Sequence, residues 1–192
     1  MDWVLASASP RRRELLAELV DSFTIIPSNA EEIVEGNPTP AELVKALAKL
    51  KATEVASREE CAGKIVIGAD TVVALDGKIL GKPKDEAEAT AMLKALSGRC
   101  HEVYTGVCFI YPTAMGKNVK VAADGTKVYF ATLSEEQIAA YVASGSPMDK
   151  AGAYGIQDGD LVERIEGSFS NVVGLPLELC GKIIEEIKTE ML

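Results

Sequence analysis

The sequence predicts an α/β fold, in which helices pack on a central sheet, and three observations support this. The chain has 192 residues, a length that suits one domain or two closely joined lobes. Apolar residues make up 47% of it, which is enough to bury a sizeable core. Strand-like and helix-like segments are mixed along the whole chain, which favours layers of helices around a sheet. We therefore expect residues 1–192 to form a single domain or two closely joined lobes, and not independent domains.

In the first half of the chain, each predicted element depends on a local signal. Short apolar runs indicate buried strands, and a capping residue before an apolar periodic stretch indicates the start of a helix. Ser9 and Thr39 are such caps, and each precedes a proline that suits the first helical position. Asp76–Gly77 is typical of a tight primed turn between two strands. The predicted elements are strands over residues 3–6, 23–26 and 65–69, a hairpin of 72–75 with 78–80, and helices from 10 and over 40–56.

The elements of the second half are predicted in the same way. Asp85 and Ser134 are caps for two further helices; the first ends near residues 97–98, and the second has a capping box with Gln137. Aromatic and β-branched residues predict a strand over residues 103–111. The remaining predictions are a loop over 112–119, a strand over 126–131, an irregular glycine-rich stretch over 152–174 with a short strand at 161–165, and a closing amphipathic helix from Pro176.

Composition and charge exclude several classes of function. With 20 basic and 29 acidic residues, the formal net charge is −9, which argues against binding long nucleic acids. The four cysteines are widely spaced and form no CxxC pair, so neither a zinc site nor a disulfide framework is expected. No apolar run approaches the roughly 18 residues of a membrane span, and no signal peptide is recognised. We therefore expect a cytoplasmic protein that does not bind a membrane.

The segment Ser7–Arg13, with the sequence SASPRRR, places three arginines in the first turn of a predicted helix. The positive end of the helix dipole disfavours cations there by roughly 0.3–1 kcal/mol each. A bound anion reverses this argument, because N–H groups, hydroxyls and guanidinium groups then converge on phosphate oxygens. Arg11 and Arg12 are the stronger candidates, and Arg13 is expected to face solvent. A solvated basic turn is the alternative interpretation.

Asp70 follows the apolar run Ile65–Ala69, and in open α/β sheets ligands gather outside the carboxyl ends of strands. An aspartate there could bind a divalent cation or accept a proton from water, and a turn-forming aspartate is the alternative. Thr71 is either a hydroxyl for the substrate or an ordinary strand residue. Lys82 precedes a proline, which restricts its backbone to an extended conformation and aims the amine. That suits a phosphate contact, although most such lysines are merely exposed.

Other polar residues carry weaker signals. Glu31–Glu32 is either the partner of a nearby cation or an exposed acidic loop, and Lys51 alone would be a surface residue of a helix. Gln157 ends a glycine-rich segment, where its amide could match the edge of a pyrimidine; a tight surface turn is the alternative. His101 is the only histidine, which excludes a histidine-rich metal centre. A nucleophile elbow, a Walker A motif and a dinucleotide fingerprint are all absent.

Taken together, these segments resemble the Maf family over about residues 4–176. The matching motifs are Ser7–Arg12, Glu31–Glu32, Lys51–Ala52, Gly68–Val72, Gly81–Pro83, Asp149–Gln157 and Gly167–Pro176. The resemblance implies an inosine-triphosphatase-like α/β fold, in which a mixed central sheet and flanking helices form two lobes around a cleft. It also implies metal-dependent hydrolysis of a nucleoside triphosphate between the α- and β-phosphates, and a chain that often forms a homodimer.

The resemblance further implies roles for nine residues. The implied catalytic group consists of Asp70, Glu32, Lys51 and Lys82, and the implied substrate-binding group consists of Ser7, Arg11, Arg12, Thr71 and Gln157. Arg11, Thr71 and Gln157 match positions linked to the choice of base. Asp70 and Glu32 are the expected ligands of a divalent cation, Mg²⁺ or Mn²⁺. Asp70 is also the implied general base, and whether it acts as base, metal ligand or both stays open at this stage.

Within the family, the segment Asp149–Gln157 looks like the branch that prefers dTTP and UTP. Two positions depart from the family pattern, because Ser146 stands where glutamate is usual and Asp158 where glycine is usual. An added carboxylate near a triphosphate could alter base preference or rate. The alternatives are the same reaction on another or modified nucleotide, such as 7-methyl-GTP or CTP, and a non-enzymatic nucleotide-binding regulator of cell division.

Overall fold

The structure, a computed structural model, describes residues 1–192 and contains seven strands and six α-helices. The strands are β1 (Trp3–Leu5), β2 (Phe23–Ile25), β3 (Ile65–Leu75), β4 (Lys78–Leu80), β5 (Cys100–Thr113), β6 (Gly116–Phe130) and β7 (Val162–Glu166). The helices are α1 (Pro10–Leu16), α2 (Pro40–Ala56), α3 (Glu86–Leu96), α4 (Glu135–Ala143), α5 (Phe169–Val173) and α6 (Leu177–Glu190). None of these helices has the length and apolar character that crossing a membrane requires.

The seven strands form one mixed sheet in the order β2-β1-β3-β5-β6-β7, with β4 also paired to β3. β1 runs parallel to β2 and β3, and every other pair is antiparallel. On one edge of β3, β1 pairs with residues 65–67 and β4 with residues 73–75, whereas β5 pairs along the other edge. Residues 68–72 of β3 therefore have a strand partner on one side only. We call this stretch the gap in β3.

Three clusters of buried apolar side chains hold the helices against the sheet, and each of them includes residues of β3. Ile67 belongs to the cluster that packs α1 and α6 on one face. Val66, which points to the opposite face because side chains alternate along a strand, belongs to the cluster with α2. Val73 belongs to the third cluster, with α3 and α4. The first two clusters form one lobe and the third forms the other, so the gap in β3 lies between the lobes.

Two glycines allow α2 to lie directly on the sheet. A methyl group added at Gly68 of β3 would lie 2.4 Å from the carbonyl oxygen of Ala48, and one added at Gly106 of β5 would lie 2.3 Å from that of Val44. Real Cβ atoms do not approach backbone so closely, so only glycine permits this contact. Lys51 follows Ala48 by about one helical turn, and the close packing therefore brings its side chain to the gap in β3.

Most of the predicted elements are confirmed to within one or two residues. Thr39 and Ser134 both form complete capping boxes, at the starts of α2 and α4. Asp76 and Gly77 have positive φ angles of 51° and 76°, as a primed hairpin turn requires. The short strand predicted at residues 161–165 is β7. The irregular stretch around it also contains α5, which begins after the Ser168 cap.

The prediction that a strand ends at Ala69 is wrong, because β3 continues without interruption to Leu75. Asp70 lies inside β3, where it pairs with Gly106 of β5. Long pairing with β5 stabilises this extended segment, and cross-strand pairing is not visible in a local apolar pattern. The strand that ends next to the site is instead β1, whose last residue, Leu5, pairs with Ile67.

The predicted loop over residues 112–119 is also wrong. β5 and β6 pair continuously up to Thr113 and Gly116, which leaves only two residues between the strands. The reason is again tertiary, since each strand of this ladder supports residues of the other that have weak strand propensity. β6 therefore begins well before the predicted residue 126. Because β7 pairs only with residues 127–130 of β6, residues 116–126 have no strand on their outer side.

Candidate active site

A cleft of about 640 Å³ opens at the gap in β3, between the two lobes. Eight of the nine predicted site residues line it, namely Arg11, Arg12, Glu32, Lys51, Asp70, Thr71, Lys82 and Gln157. Ser7 does not line the cleft, and its hydroxyl oxygen instead accepts a hydrogen bond of 3.3 Å from Nη1 of Arg12. The fold thus brings together residues from α1, α2, β3 and several loops.

Lys51 joins two carboxylates that come from other parts of the chain. Its Nζ lies 2.6 Å from Oδ1 of Asp70 and 3.0 Å from Oε1 of Glu32. The side chains of Lys51 and Asp70 are only 16% and 12% exposed, whereas that of Glu32 is 58% exposed. Partial burial strengthens the attraction between Lys51 and Asp70 relative to a surface pair. Asp70 is therefore held through Oδ1, and its Oδ2 makes no hydrogen bond within the protein.

The guanidinium group of Arg12 is fixed by three other segments. Nε donates to the carbonyl oxygen of Gly174 at 2.8 Å, and Nη2 donates to Oγ1 of Thr71 at 3.0 Å. Together with the contact to Ser7, these bonds connect the start of α1 to β3 and to the end of α5. Burial lowers the pKa of Arg12, and the nearby Asp70 carboxylate opposes that shift. An arginine remains charged at neutral pH even so.

The hydroxyl of Thr71 is committed to other protein groups. Thr105 donates its hydroxyl hydrogen to the carbonyl oxygen of Asn171 at 2.8 Å. The oxygens of Thr71 and Thr105 are also 2.8 Å apart, so Thr71 must be the donor in that bond. Because Thr71 also accepts from Arg12, it has no hydrogen left for a substrate. The geometry therefore makes Thr71 a support for Arg12.

Two cations in the cleft have no partner in the protein. Arg11 is half-buried and Lys82 is exposed, and neither forms a hydrogen bond or an ion pair. Arg13 is exposed outside the cleft, as predicted. Five basic and five acidic side chains line the cleft, so its charges balance overall in a chain with a formal charge of −9. Arg11 and Lys82 are the cations that no carboxylate of the protein neutralises. This arrangement favours binding of an anion.

His101 lies beneath the cleft and takes no part in its surface. Its side chain is 2% exposed, and Nε2 is 2.6 Å from the hydroxyl oxygen of Tyr154, which lines the cleft. The ring packs edge-on against both Tyr154 and Phe130. Burial lowers the pKa of His101 to about 4. The imidazole is therefore neutral at pH 7 and supports Tyr154 from below.

The chain matches the family model described as Maf-like protein over residues 2–187. It belongs to the Maf family. The family membership predicted from the motifs is therefore confirmed over nearly the full chain.

Several Maf relatives are similar to this chain along almost their whole length. A protein of Thermococcus gammatolerans named dTTP/UTP pyrophosphatase is 54% identical over 184 residues, which cover 95% of each chain. A protein of Geobacter metallireducens with the same name is 51% identical over 188 residues, covering 97% of this chain and 94% of the relative. These sequence identities are higher than those of proteins that share only a fold.

A solved structure confirms the predicted fold. The Staphylococcus aureus Ham1 protein superposes with a TM-score of 0.56, and the match covers 97% of this chain and all of that chain. The sequence identity is 16%, so the likeness concerns the fold and not the chemistry of the site. The α/β architecture with a mixed sheet and flanking helices is thus shared with that protein.

Ser146 and Asp158, the two positions expected from the motifs to depart from the family pattern, contact each other. The hydroxyl of Ser146 donates to Oδ2 of Asp158 at 2.6 Å, and Nζ of Lys150 lies 3.5 Å from the same oxygen. Burial alone would raise the pKa of Asp158, but hydrogen bonds from Ser146 and Tyr141 outweigh it and lower the pKa. The added carboxylate is therefore ionised and is balanced by Lys150.

The chain offers few ligands for a metal ion. No group of three or more histidine, cysteine or acidic side chains is close enough to hold one. Asp70 and Glu32 do converge, since both contact the same ammonium group of Lys51. Two carboxylates fit Mg²⁺ or Mn²⁺ when substrate phosphates and water supply the remaining ligands. The residues thus suit a cation that arrives with the substrate and do not suit a closed protein cage.

Asn171 supports the cleft, although no local pattern in the sequence around it predicted this role. It is fully buried, and its Nδ2 donates to the carbonyl oxygen of Val103 at 3.0 Å and to Oγ1 of Thr126 at 2.9 Å. These bonds anchor α5 on the sheet, and Gly174 at the end of α5 accepts from Arg12. The only available signal was its place inside the motif Gly167–Pro176.

Proposed function

We propose that this Maf protein hydrolyses dTTP and UTP to the monophosphate and pyrophosphate, by attack of water on the α-phosphorus. The observation that carries the proposal is the combination of the Asp70–Lys51 pair with the unpaired cations Arg11 and Lys82 in one cleft. The two relatives named dTTP/UTP pyrophosphatase, at 54% and 51% identity, support the choice of substrate.

The cations account for binding of the triphosphate. Arg12 is held rigidly by Ser7, Thr71 and Gly174, so it can bind phosphate oxygens without losing much conformational freedom. Arg11 and Lys82 have no internal partner to give up. Positive groups that face the departing pyrophosphate stabilise the charge that develops on it in the transition state. Gln157, at the end of the segment Asp149–Gln157 and in the same cleft, is then available to the base.

Asp70 is the group that would accept a proton from the attacking water. Its Oδ1 is fixed by Lys51 at 2.6 Å, which leaves Oδ2 to orient the water. Asp70 and Glu32 would hold Mg²⁺ or Mn²⁺, and the ion would polarise the phosphate oxygens when bound. Lys51 maintains both carboxylates at this position. Lys51 thereby organises the catalytic group, and Lys82 lines the same cleft.

The first experiment measures pyrophosphate release from a panel of triphosphates, with Mg²⁺, with Mn²⁺ and with a chelator. The panel contains dTTP, UTP, CTP, GTP and 7-methyl-GTP. Metal-dependent release from dTTP and UTP is the expected result. Release confined to another base would retain the reaction and overturn the substrate. Absence of release from every nucleotide would favour a nucleotide-binding regulator instead.

The role of Asp70 is tested with Asp70→Asn, which preserves shape and removes the charge. We expect kcat to fall by about 10²–10⁴-fold, the range typical of a lost general base. Asp76→Asn is the matched control, because Asp76 lies in the β3–β4 turn and pairs with Arg99 outside the cleft. Circular dichroism checks that both variants fold. Turnover of Asp70→Asn within a few-fold of the parent would refute the assignment.

A further inference from the structure

Gln157 is presented to the cleft by a tight turn. The N–H of Asp158 donates to the carbonyl oxygen of Gly155 at 3.0 Å, which closes a turn with Gln157 near its tip. Gln157 is exposed and makes no side-chain hydrogen bond of its own within the protein. The position of its amide therefore depends on what holds the turn.

Both ends of this turn are held by one hydroxyl group from another element. Tyr141, on α4, accepts a hydrogen bond from the N–H of Gly155 at 3.1 Å and donates one to Oδ2 of Asp158 at 2.7 Å. A phenol can do both at once because it has one hydrogen and two lone pairs. Burial, followed by the bond to Asp158, raises the pKa of Tyr141 to about 12. The hydroxyl is therefore protonated and able to donate at neutral pH.

Two further residues contact the same carboxylate oxygen of Asp158. Its Oδ2 also accepts from Ser146 at 2.6 Å and pairs with Nζ of Lys150 at 3.5 Å. Lys150 in turn donates to the carbonyl oxygen of Ser146 at 2.7 Å. The approach is so close that a methyl group at Gly155 would lie 2.9 Å from Cε of Lys150. We call the set Tyr141, Ser146, Lys150 and Asp158 the turn clamp.

We propose that Tyr141 is a positioning residue for base recognition, which acts through the turn clamp to hold Gln157 at the distance a pyrimidine requires. This inference rests on the proposed function and assigns part of its base selectivity to a residue outside the cleft. Tyr141 does not line the cleft, and Gln157 does. Of the cations assigned to the phosphates, Arg11 and Arg12 lie on α1 in the other lobe, and Lys82 follows β4.

The physical reason is the cost of ordering a turn. A hydrogen bond from a side chain to a base contributes affinity only after the side chain and its backbone have been fixed. The turn clamp fixes the backbone before the nucleotide binds. Without the Tyr141 hydroxyl, the N–H of Gly155 and the carboxylate of Asp158 both lose a partner, and the turn must be ordered by the nucleotide itself.

The test compares Tyr141→Phe with the parent protein in the steady-state hydrolysis of UTP and CTP. Loss of a hydrogen bond to a charged group corresponds to about a tenfold effect or more. We expect KM for UTP to rise by about tenfold, kcat to stay within about twofold, and the preference for UTP over CTP to decrease. Inhibition by inorganic pyrophosphate is expected to stay unchanged, because Tyr141 forms no hydrogen bond with Arg11, Arg12 or Lys82, the cations assigned to the phosphates.

Tyr111→Phe is the matched control, since it also removes a hydroxyl that donates to a carboxylate, that of Glu190, but far from the cleft. It should leave KM unchanged. Asp158→Asn should reproduce the effect of Tyr141→Phe, and the double variant should show less than the sum of the two. An unchanged KM in Tyr141→Phe would overturn the inference, as would equal weakening of pyrophosphate and UTP. If the parent releases no pyrophosphate from UTP or dTTP, the proposed function fails first.

Discussion

His101 is a buried titratable residue whose protonation opposes folding. Its side chain packs among Tyr154 and Phe130, and its Nδ1 has no hydrogen-bond partner. Burial lowers its pKa in the folded protein to about 4 from 6.5. The unfolded chain therefore binds a proton at a higher pH than the folded protein does. The free energy of unfolding therefore keeps its full value above pH 6.5, as far as His101 is concerned, and decreases as the pH falls from there towards 4.

This predicts a specific acid sensitivity that His101→Gln should remove. Between pH 7 and pH 5, the parent should lose about 2 kcal/mol of unfolding free energy through this residue. His101 is the only histidine, so few other groups titrate in this interval. Urea unfolding at both pH values measures the loss. The variant is expected to start less stable and to change little between the two. An equal loss in both proteins would contradict the prediction.

The site residues differ in whether the sequence around each of them indicates its role. Arg11, Arg12 and Asp70 carry local signals, namely misplaced charge in a helix and a carboxylate after an apolar run. Lys51 carries none, because its importance comes from a contact with Asp70 that only the packing of α2 creates. Tyr141 also lacks a local signal, since an aromatic residue at a helical spacing is ordinarily a core residue. Side chains that act across elements are thus the ones that local patterns miss.

At the scale of elements, the position of α2 on the sheet determines the geometry of Lys51. Gly68→Ala places a methyl group 2.4 Å from the backbone of Ala48, which forces the helix outwards. Overpacking of this kind costs about 1–3 kcal/mol. We expect that loss in urea unfolding, together with a reduced kcat because Lys51 moves away from Asp70.

Gly181→Ala is the control for this prediction. A methyl group at Gly181, on α6, would meet only the side chain of Leu19 at 3.8 Å, an ordinary contact distance. Alanine is the better helix former by about 1 kcal/mol, so this variant should be as stable as the parent or more stable. A Gly68→Ala protein with unchanged stability and kcat would show that α2 can shift without consequence.

The elements themselves were predicted best where their ends are marked by local chemistry. Capping residues located α2, α3 and α4 well, because a cap satisfies backbone groups of its own helix. The β5–β6 hairpin was interrupted in the prediction, since residues 112–119 contain only two β-branched residues, Thr113 and Val119, among residues of low strand propensity. Pairing with a neighbouring strand extends such segments, and that information lies elsewhere in the chain.

At the scale of the whole molecule, β3 and β5 pass through both lobes and connect their cores. Val66 and Val73, from the two ends of β3, belong to clusters in different lobes. We therefore expect the chain to unfold as a single cooperative unit, although it exceeds the size at which this is usual. Fluorescence of Trp3, the only tryptophan, reports one lobe, and far-ultraviolet circular dichroism reports both. Separate urea midpoints for the two signals would show that the lobes are independent domains.

The outer edge of β6 also matters when many copies of the chain are present. Unpaired N–H and C=O groups along a strand edge favour the addition of a strand from another molecule, which leads to aggregation. Charged side chains on the edge oppose this, and the unpaired stretch carries Lys117, Lys120 and Asp124. Lys120 is fixed there by Glu186 and Glu190 of α6. The helix that closes the core of one lobe thus also keeps charge beside the open edge and limits growth of the sheet from one molecule to the next.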